Sequence, residues 1–342
     1  MTTEAETTST AQRNAAVAKD RGRRGIVQNG RVQRREFLTG SSLALLGLGA
    51  QGFEAAGAAA EPIIDIHQHV GYSGRPDNVL LAHQRAMGVS TTILLPAGRP
   101  VKAASTHDGV ANGLQAEAAG NEACYRFARA HRREFRFAAN EVPDVDGALE
   151  VIARYLKRGA AMIAEQKFGV ECDAPAMLRV YALAREHRVP VLMHWQHAMY
   201  NYGFERFGRV LEQFHDVTFI GHAQTWWANI DAKHADQSVL YPKGPVTRGG
   251  VTDRYLSDHS NMFGDLSAGS GLNALTRDEE FTRDFLVRHQ DKLLFGSDCN
   301  DRHGGTEKCQ GTQTIATIRR LSADHKVQRK LLYENARRLV RV

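Results

Sequence analysis

The chain has 342 residues, 42% of them hydrophobic and 24% charged, with 44 Lys and Arg against 38 Asp and Glu for a formal net charge of +6. The first 60 residues hold 8 of those basic and 5 of those acidic side chains, so residues 61–342 carry 36 against 33, a net of +3. A nearly neutral body offers no basic stripe and gives no ground for a nucleic-acid partner.

The chain opens on a leader. Arg34-Arg35-Glu36-Phe37-Leu38 is a twin-arginine pair followed by an apolar Phe-Leu, then a weakly hydrophobic run from Leu43 to Ala50. Ala58-Ala59-Ala60 ahead of Glu61 suits signal peptidase. This pattern predicts a twin-arginine signal over 1–60, export to the periplasm or beyond, and one domain over 61–342. The apolar run is too short and too rich in Gly for a stable membrane span, and no later segment approaches that length. Four cysteines (Cys124, Cys172, Cys299 and Cys309) are too few for a disulfide scaffold. Cys299 and Cys309 are the most local candidate pair for a single bridge, with free thiols as the alternative.

From residue 61 onward strand-like and helix-like runs alternate. The strand-like runs are Ile63–His67, Ser90–Leu95, Phe135–Ala139, Ala160–Glu165, Val189–His194, Val217–His222, Met262–Leu266 and Lys292–Gly296. Several are almost continuously aliphatic, as parallel strands buried on both faces should be. Helix-like stretches lie at Val79–Met87, Gln115–His131, Val145–Lys157, Ala176–His187, Glu205–His215, Asp278–Gln290 and Val327–Val342, with Asp144, Asp173 and Thr276 as expected N-caps. Eight strands alternating with helices predict an α/β fold, a single-domain (β/α)8 TIM barrel. Residues 223–260 are too long for a simple connection and predict an elaborated loop after strand six, over the barrel mouth.

Four of these runs end in a metal-ligand residue type. The first ends in His67 and His69, which alternation places on one face together with Asp65. The fifth ends in His194, the sixth in His222, and the eighth in Asp298. In such barrels the functional groups sit at the C-terminal ends of strands. His67, His69, His194 and Asp298 would hold one divalent ion, with zinc the expected metal, and leave a position open for water. Asp298 and His222 are the candidate catalytic residues: Asp298 to accept the water's proton, His222 as a further ligand or an acid/base. On strand four Glu165 and Lys167 share a face, as candidates for a second metal or for ion pairing with each other or with substrate. Gln224, Trp226 and Trp227, which follow His222, are candidates for the pocket wall, and Asp265 at the end of strand seven for a substrate contact.

The whole of 61–342 resembles the amidohydrolase superfamily, in the branch that includes aminocarboxymuconate-semialdehyde decarboxylase. The matching residues are Asp65-Ile-His67-Gln-His69, Val191-Leu-Met-His194, Phe219-Ile-Gly-His222, Leu294-Phe-Gly-Ser-Asp298 and a terminal Leu332-Tyr-Glu-Asn335-Ala-Arg-Arg-Leu339. The resemblance implies a mononuclear site with His67, His69, His194 and Asp298 as ligands and His222 as a catalytic residue. A homodimer is also implied. Binuclear relatives place a bridging carboxylate on strand four. The expected activity is hydrolysis of an amide, ester or lactone carbon of a small molecule by a metal-activated water. The alternative is metal-dependent decarboxylation of a small carboxylic acid, for which Arg75 or Arg302 would have to face the site and hold a second carboxylate.

Overall fold

A computed structural model describes residues 61–97 and 117–340. The predicted twin-arginine signal and its cleavage point lie outside the described residues.

Eight parallel strands follow one another in sequence order: β1 (Ile64–Gln68), β2 (Thr91–Leu94), β3 (Phe135–Phe137), β4 (Ile163–Gln166), β5 (Val191–His194), β6 (Phe219–His222), β7 (Met262–Asp265) and β8 (Leu293–Leu294). Every neighbouring pair from β1 to β3 and from β4 to β8 is parallel. Two seams close the ring. At the first, Ala139 bridges Ile163 in parallel, with its N–H donating to the Met162 carbonyl at 2.9 Å. At the second, Ile66 N–H donates to the Phe295 carbonyl at 3.1 Å, and Asp298 N–H to the His67 carbonyl at 2.8 Å. The result is the expected (β/α)8 barrel.

The outer layer comprises α1 (Asp77–Ala86), α2 (Asn121–Ala130), α3 (Ala148–Lys157), α4 (Pro175–His187), α5 (Phe207–Gln213), α6 (Gln224–Ala228), α7 (Val251–Asp258), α8 (Ala268–Thr276), α9 (Glu279–Arg288) and α10 (Gln310–Leu321). The chain ends in α11 (His325–Arg329), a π turn over Lys330–Glu334 and α12 (Asn335–Leu339). The expected caps are displaced. Gly147 and Ala174 precede α3 and α4, and it is Asp278 that accepts from Phe281 N–H at the start of α9. Asp173 instead pairs with Arg206. The region after β6 does carry short helices, α6 and α7, with irregular chain between them.

Two apolar layers follow from strand alternation. Ile64, Ile66, Ile93, Ala164, Leu192, Ile220, Phe263 and Leu294 fill the interior together with Ala336 and Val340 from the C-terminal segment. Met193, Phe219, Met262 and Leu293 face outward to the helices. The C-terminal helical segment therefore plugs the N-terminal end of the barrel, and Asn335 Nδ2 donates to the carbonyls of Gln290 (2.7 Å) and Leu293 (2.9 Å).

Candidate metal centre and active site

At the opposite, C-terminal end the inward strand positions change from aliphatic to ionisable. His194 and His222 are paired residues at the ends of β5 and β6. The simple alternation predicted for β1 fails: its pairing with β2 shifts register between Asp65 and Gln68. Ile64 and Ile66 are inside the barrel, so Asp65 lies on the other face and does not join His67 and His69. It accepts from the backbone N–H groups of His67 (3.0 Å) and Ser297 (2.8 Å), which stitches β1 to the end of β8. Gly296 makes this seam possible, because a Cβ there would sit 2.5 Å from Asp265 Oδ1 and 2.9 Å from His67 Cβ.

The four histidines are each oriented by one ring nitrogen. His67 Nδ1 meets Asp265 Oδ2 at 2.7 Å, and His69 Nδ1 donates to the Leu95 carbonyl at 2.8 Å. His222 Nδ1 lies 3.0 Å from Ser267 Oγ and 3.2 Å from Asp265 Oδ2. All three Nε2 atoms are thereby turned toward Asp298: His67 and His69 at 3.7 and 3.5 Å from Oδ1, His222 at 3.5 Å from Oδ2. His194 is placed the other way round, with Nδ1 at 2.5 Å from Glu165 Oε1 and Nε2 3.4 Å from Gln196 Oε1. Glu165 is also 3.7 Å from the Nε2 atoms of His67, His69 and His222. The structure thus brings together His67, His69, His194, His222 and Asp298, and adds the strand-four carboxylate of Glu165 to the same centre.

These residues fit a divalent ion. His67 Nε2 and Asp298 Oδ1 are buried and make no hydrogen bond, a costly arrangement unless something else satisfies them. Imidazole and carboxylate donors at these separations, with the outer ring nitrogens tied to a carboxylate or a carbonyl, are the donor set of a zinc-like centre. Asp298 has φ 41°, the left-handed region where a non-glycine residue is strained. Neighbouring mouth residues Ala223 (φ 80°) and Ala268 (φ 61°) share that conformation.

Charge is arranged to match. Burial would raise the carboxyl of Asp298, but the imidazoles of His67, His222 and His69 outweigh it and hold the group well below the ordinary range. Glu165 is likewise held well below, its burial outweighed by Lys167 and His194. Asp265 is kept at about 2, because bonds from His222 and His67 overcome its complete burial. Burial, reinforced by the Lys167 cation, pulls His194 down to about 3 and keeps it a neutral donor. His222 is raised: burial and the charge on His67 act against it, but Asp265 and Asp298 prevail.

A cavity of about 460 Å³ opens above the centre. Its wall includes His194, His222, Asp298, Tyr72, Gln224, Tyr241, Gln310 and two cations, Lys167 and Lys308. Several pocket expectations need correction. Trp226 and Trp227 are buried behind the strands and do not line this cavity. A Cβ on Gly221 would be 2.4 Å from the Trp226 indole, and one on Gly264 would be 3.3 Å from that of Trp227. Both rings therefore occupy the outer face, where glycine leaves room. Asp265 is fully buried beneath His67 and His222 and orients them instead of meeting substrate. Arg75 is buried, with its guanidinium donating to the Cys299 and Asp301 carbonyls and to Gln68 Oε1, and Arg302 is exposed outside this wall. Cys299 and Cys309 are free thiols. Sequence reasoning missed Tyr72, Tyr241 and Lys308 as wall residues, and no local pattern around them marks the cavity.

Fold and centre together are those of an amidohydrolase-type barrel enzyme, and the chain belongs to the amidohydrolase family, which it matches over residues 64–342. No curated protein matches the sequence. Among solved structures, it is similar to a TIM-barrel protein from Bordetella bronchiseptica, with 15% identity, TM-score 0.55, and 81% of this chain and 98% of that one covered. It is also similar to a protein from Acinetobacter baumannii described as a probable 2-pyrone-4,6-dicarboxylic acid hydrolase, with citric acid bound (11% identity, TM-score 0.51, coverage 81% and 98%). A third is 2,6-dihydroxybenzoate decarboxylase in complex with 2,6-dihydroxybenzoate (14% identity, TM-score 0.50, coverage 82% and 99%). At these identities the likeness is one of fold.

Proposed function

We propose that the protein hydrolyses an ester, lactone or amide bond in a small, carboxylate-bearing molecule, with His67, His69, His194 and Asp298 holding one zinc-type ion at the strand ends. The observation that carries this reading is the pair of buried, unbonded donors, His67 Nε2 and Asp298 Oδ1, beneath an open cavity. Bound there, a divalent ion would polarise the substrate carbonyl and lower the pKa of the attacking water. Asp298 stays ionised and is placed to accept the proton that water gives up. His222, its Nε2 3.5 Å from Asp298 Oδ2, is placed to pass a proton to the leaving oxygen or nitrogen. Asp265 and Ser267 keep its other ring nitrogen engaged. Lys167 and Lys308 in the wall supply positive charge for a substrate carboxylate, the role that neither Arg75 nor Arg302 fills.

The same two lysines support a second reading, decarboxylation, in which they and the centre grip a carboxylic acid while His222 handles the proton. A panel of lactones, amides, esters and aromatic or enoic carboxylates separates the two. Acid formation without carbon dioxide is expected, and carbon dioxide release would replace the hydrolase by the decarboxylase. We further propose export by the twin-arginine route, on the strength of Arg34-Arg35-Glu36-Phe37-Leu38. Changing both arginines to lysine should hold the precursor inside the cell, and unchanged export of that variant would refute the route.

A further inference from the structure

Beside the mouth, where the loop after β8 lies against α1, a second group of donor side chains converges. His83 on α1 points Nε2 at both Cys299 Sγ and Cys309 Sγ, 3.4 Å from each. Asp301 completes the group, and one donor atom from each of the four residues lies within 4.8 Å of all the others. His83, Cys299 and Cys309 are buried, and Asp301 is half-buried. None of the four belongs to the donor set built from His67, His69, His194, His222, Glu165 and Asp298.

Hydrogen bonding alone accounts poorly for this cluster. A neutral imidazole nitrogen has one lone pair and accepts from one thiol, yet two sulfurs face the same Nε2 at the same distance, and the other outlet of the Cys309 thiol is the weak acceptor Met87 Sδ at 3.6 Å. His83 Nδ1 has no hydrogen-bond partner, so the polar contacts of this buried ring run through Nε2. The separations match a metal site. In tetrahedral zinc coordination, bonds of ~2.3 Å to sulfur and ~2.0 Å to nitrogen set the two donors about 3.5 Å apart.

We propose that His83, Cys299, Cys309 and Asp301 bind a second divalent transition-metal ion of zinc type, separate from the catalytic centre. Two thiolates with an imidazole favour zinc over magnesium or calcium. Binding forms four donor bonds and releases the two thiol protons to solvent, with no change of oxidation state. Four protein ligands leave no open position, so this ion is structural. It fastens to α1 the loop that begins one residue after Asp298, and thereby helps hold Asp298 in its strained conformation. Asp301 also accepts from Gln310 N–H at 3.0 Å, which joins the start of α10 to the same knot.

The test uses the full chain purified under reducing conditions without chelator. Metal analysis should find two equivalents per chain, one lost in Cys309→Ser and the other in Asp298→Ala. Cobalt(II) exchanged into the wild type should give a thiolate-to-metal charge-transfer band in the near ultraviolet. That band should persist in Asp298→Ala and vanish in Cys309→Ser. Should Cys309→Ser fail to fold, the wild type and Asp298→Ala decide alone. A cobalt protein without the band, or thiol counting that shows Cys299 and Cys309 joined as a disulfide, overturns the proposal. So does the loss of both equivalents in Asp298→Ala, which would put the second ion beside Glu165.

Discussion

The two ends of the barrel are built from the same eight strands and differ in almost everything else. At the N-terminal end the interior is closed by Ala336 and Val340, with Tyr333 and Leu339 packed against them. The polar groups there, such as Asn335 with its two carbonyl partners, are satisfied. At the C-terminal end four histidines and the carboxylates of Glu165 and Asp265 are buried beside half-buried Asp298, donor atoms such as His67 Nε2 and Asp298 Oδ1 go unbonded, and non-glycine residues including Ala223, Ala268 and Asp298 hold positive φ. A floor of this kind stores stability, whereas a mouth of this kind stores charge and strain that only a ligand relieves. The contrast makes a definite claim: mutations at the mouth should change chemistry more than folding, and mutations at the floor the reverse.

The largest effect is expected from Asp298→Ala. It removes an anion from among three imidazoles, so turnover should fall to background and one metal equivalent should be lost. Circular dichroism should still report a folded barrel, since the floor is untouched. Full retention of metal would show that the centre lies elsewhere. Next comes His222→Ala, which should keep most of the metal and lose roughly two to four orders of magnitude in turnover. Metal lost along with activity would instead make His222 a direct ligand.

The floor supplies the control. Leu331, in the C-terminal segment that carries the floor, is fully buried in the outer apolar layer, and its carbonyl accepts from Phe295 N–H. Leu331→Ala should cost about 2–5 kcal/mol of stability from lost burial and the cavity left behind, read from denaturant unfolding. KM and kcat of the remaining folded protein should stay near the wild-type values. A large fall in kcat would mean that floor and mouth are mechanically coupled and the contrast is too sharp.

Asp265→Asn probes the layer between the two. Asp265 touches no substrate cavity yet fixes the rings of both His67 and His222. Losing its charge should lower metal affinity or activity by about 10- to 100-fold, the usual scale for a residue that orients metal ligands. The loss should fall on kcat and metal affinity while KM holds. A change confined to KM would return Asp265 to the substrate contact first expected of it.

That misplacement shows what a sequence of this kind reveals. Strands buried on both faces announce themselves as aliphatic runs, and His194, His222 and Asp298 at their ends mark which end is active. Depth behind the end is not written locally. Asp265 occupies the same strand-end position as His194 and His222, and only its bonds to His67 and His222 show that it stands one layer back. Trp226 and Trp227 were misjudged because proximity in sequence to His222 says nothing of the outward turn made by α6. The signal was in Gly221 and Gly264, outward positions on β6 and β7 left empty for the indoles. Helix α10 was missed because its first half is rich in Thr and Gln, although Ile315, Ile318 and Leu321 recur at helical spacing. The arrangement of His83, Cys299, Asp301 and Cys309 depends on α1 meeting a loop some 220 residues later, which no local pattern encodes.

The smallest effect asks whether a buried, charge-paired carboxylate outside the mouth behaves as structure alone. Asp253 on α7 accepts from Arg288 Nη1 at 2.6 Å and meets His289 Nε2 at 2.7 Å and Gly249 N–H at 3.1 Å. Burial would raise its carboxyl, but the bonds from His289, Arg288 and Gly249 hold it well below the ordinary value. A folded pKa beneath the unfolded one, near ~3.9 for Asp, means that the ionised form stabilises the fold. That contribution is fully present above the unfolded pKa and is lost as the pH falls through the depressed folded value. Wild type should therefore exceed Asp253→Asn by on the order of 1–2 kcal/mol at neutral pH, given partial screening by solvent. The gap should hold steady down to about pH 4 and narrow below it. Urea unfolding of both proteins across that range measures the gap directly, and the ionisable groups of the mouth, common to both, cancel in the difference. A gap that never narrows would mean that the shape of Asp253, and not its charge, joins α7 to α9. A fall in activity at neutral pH would carry the functional region well beyond the mouth.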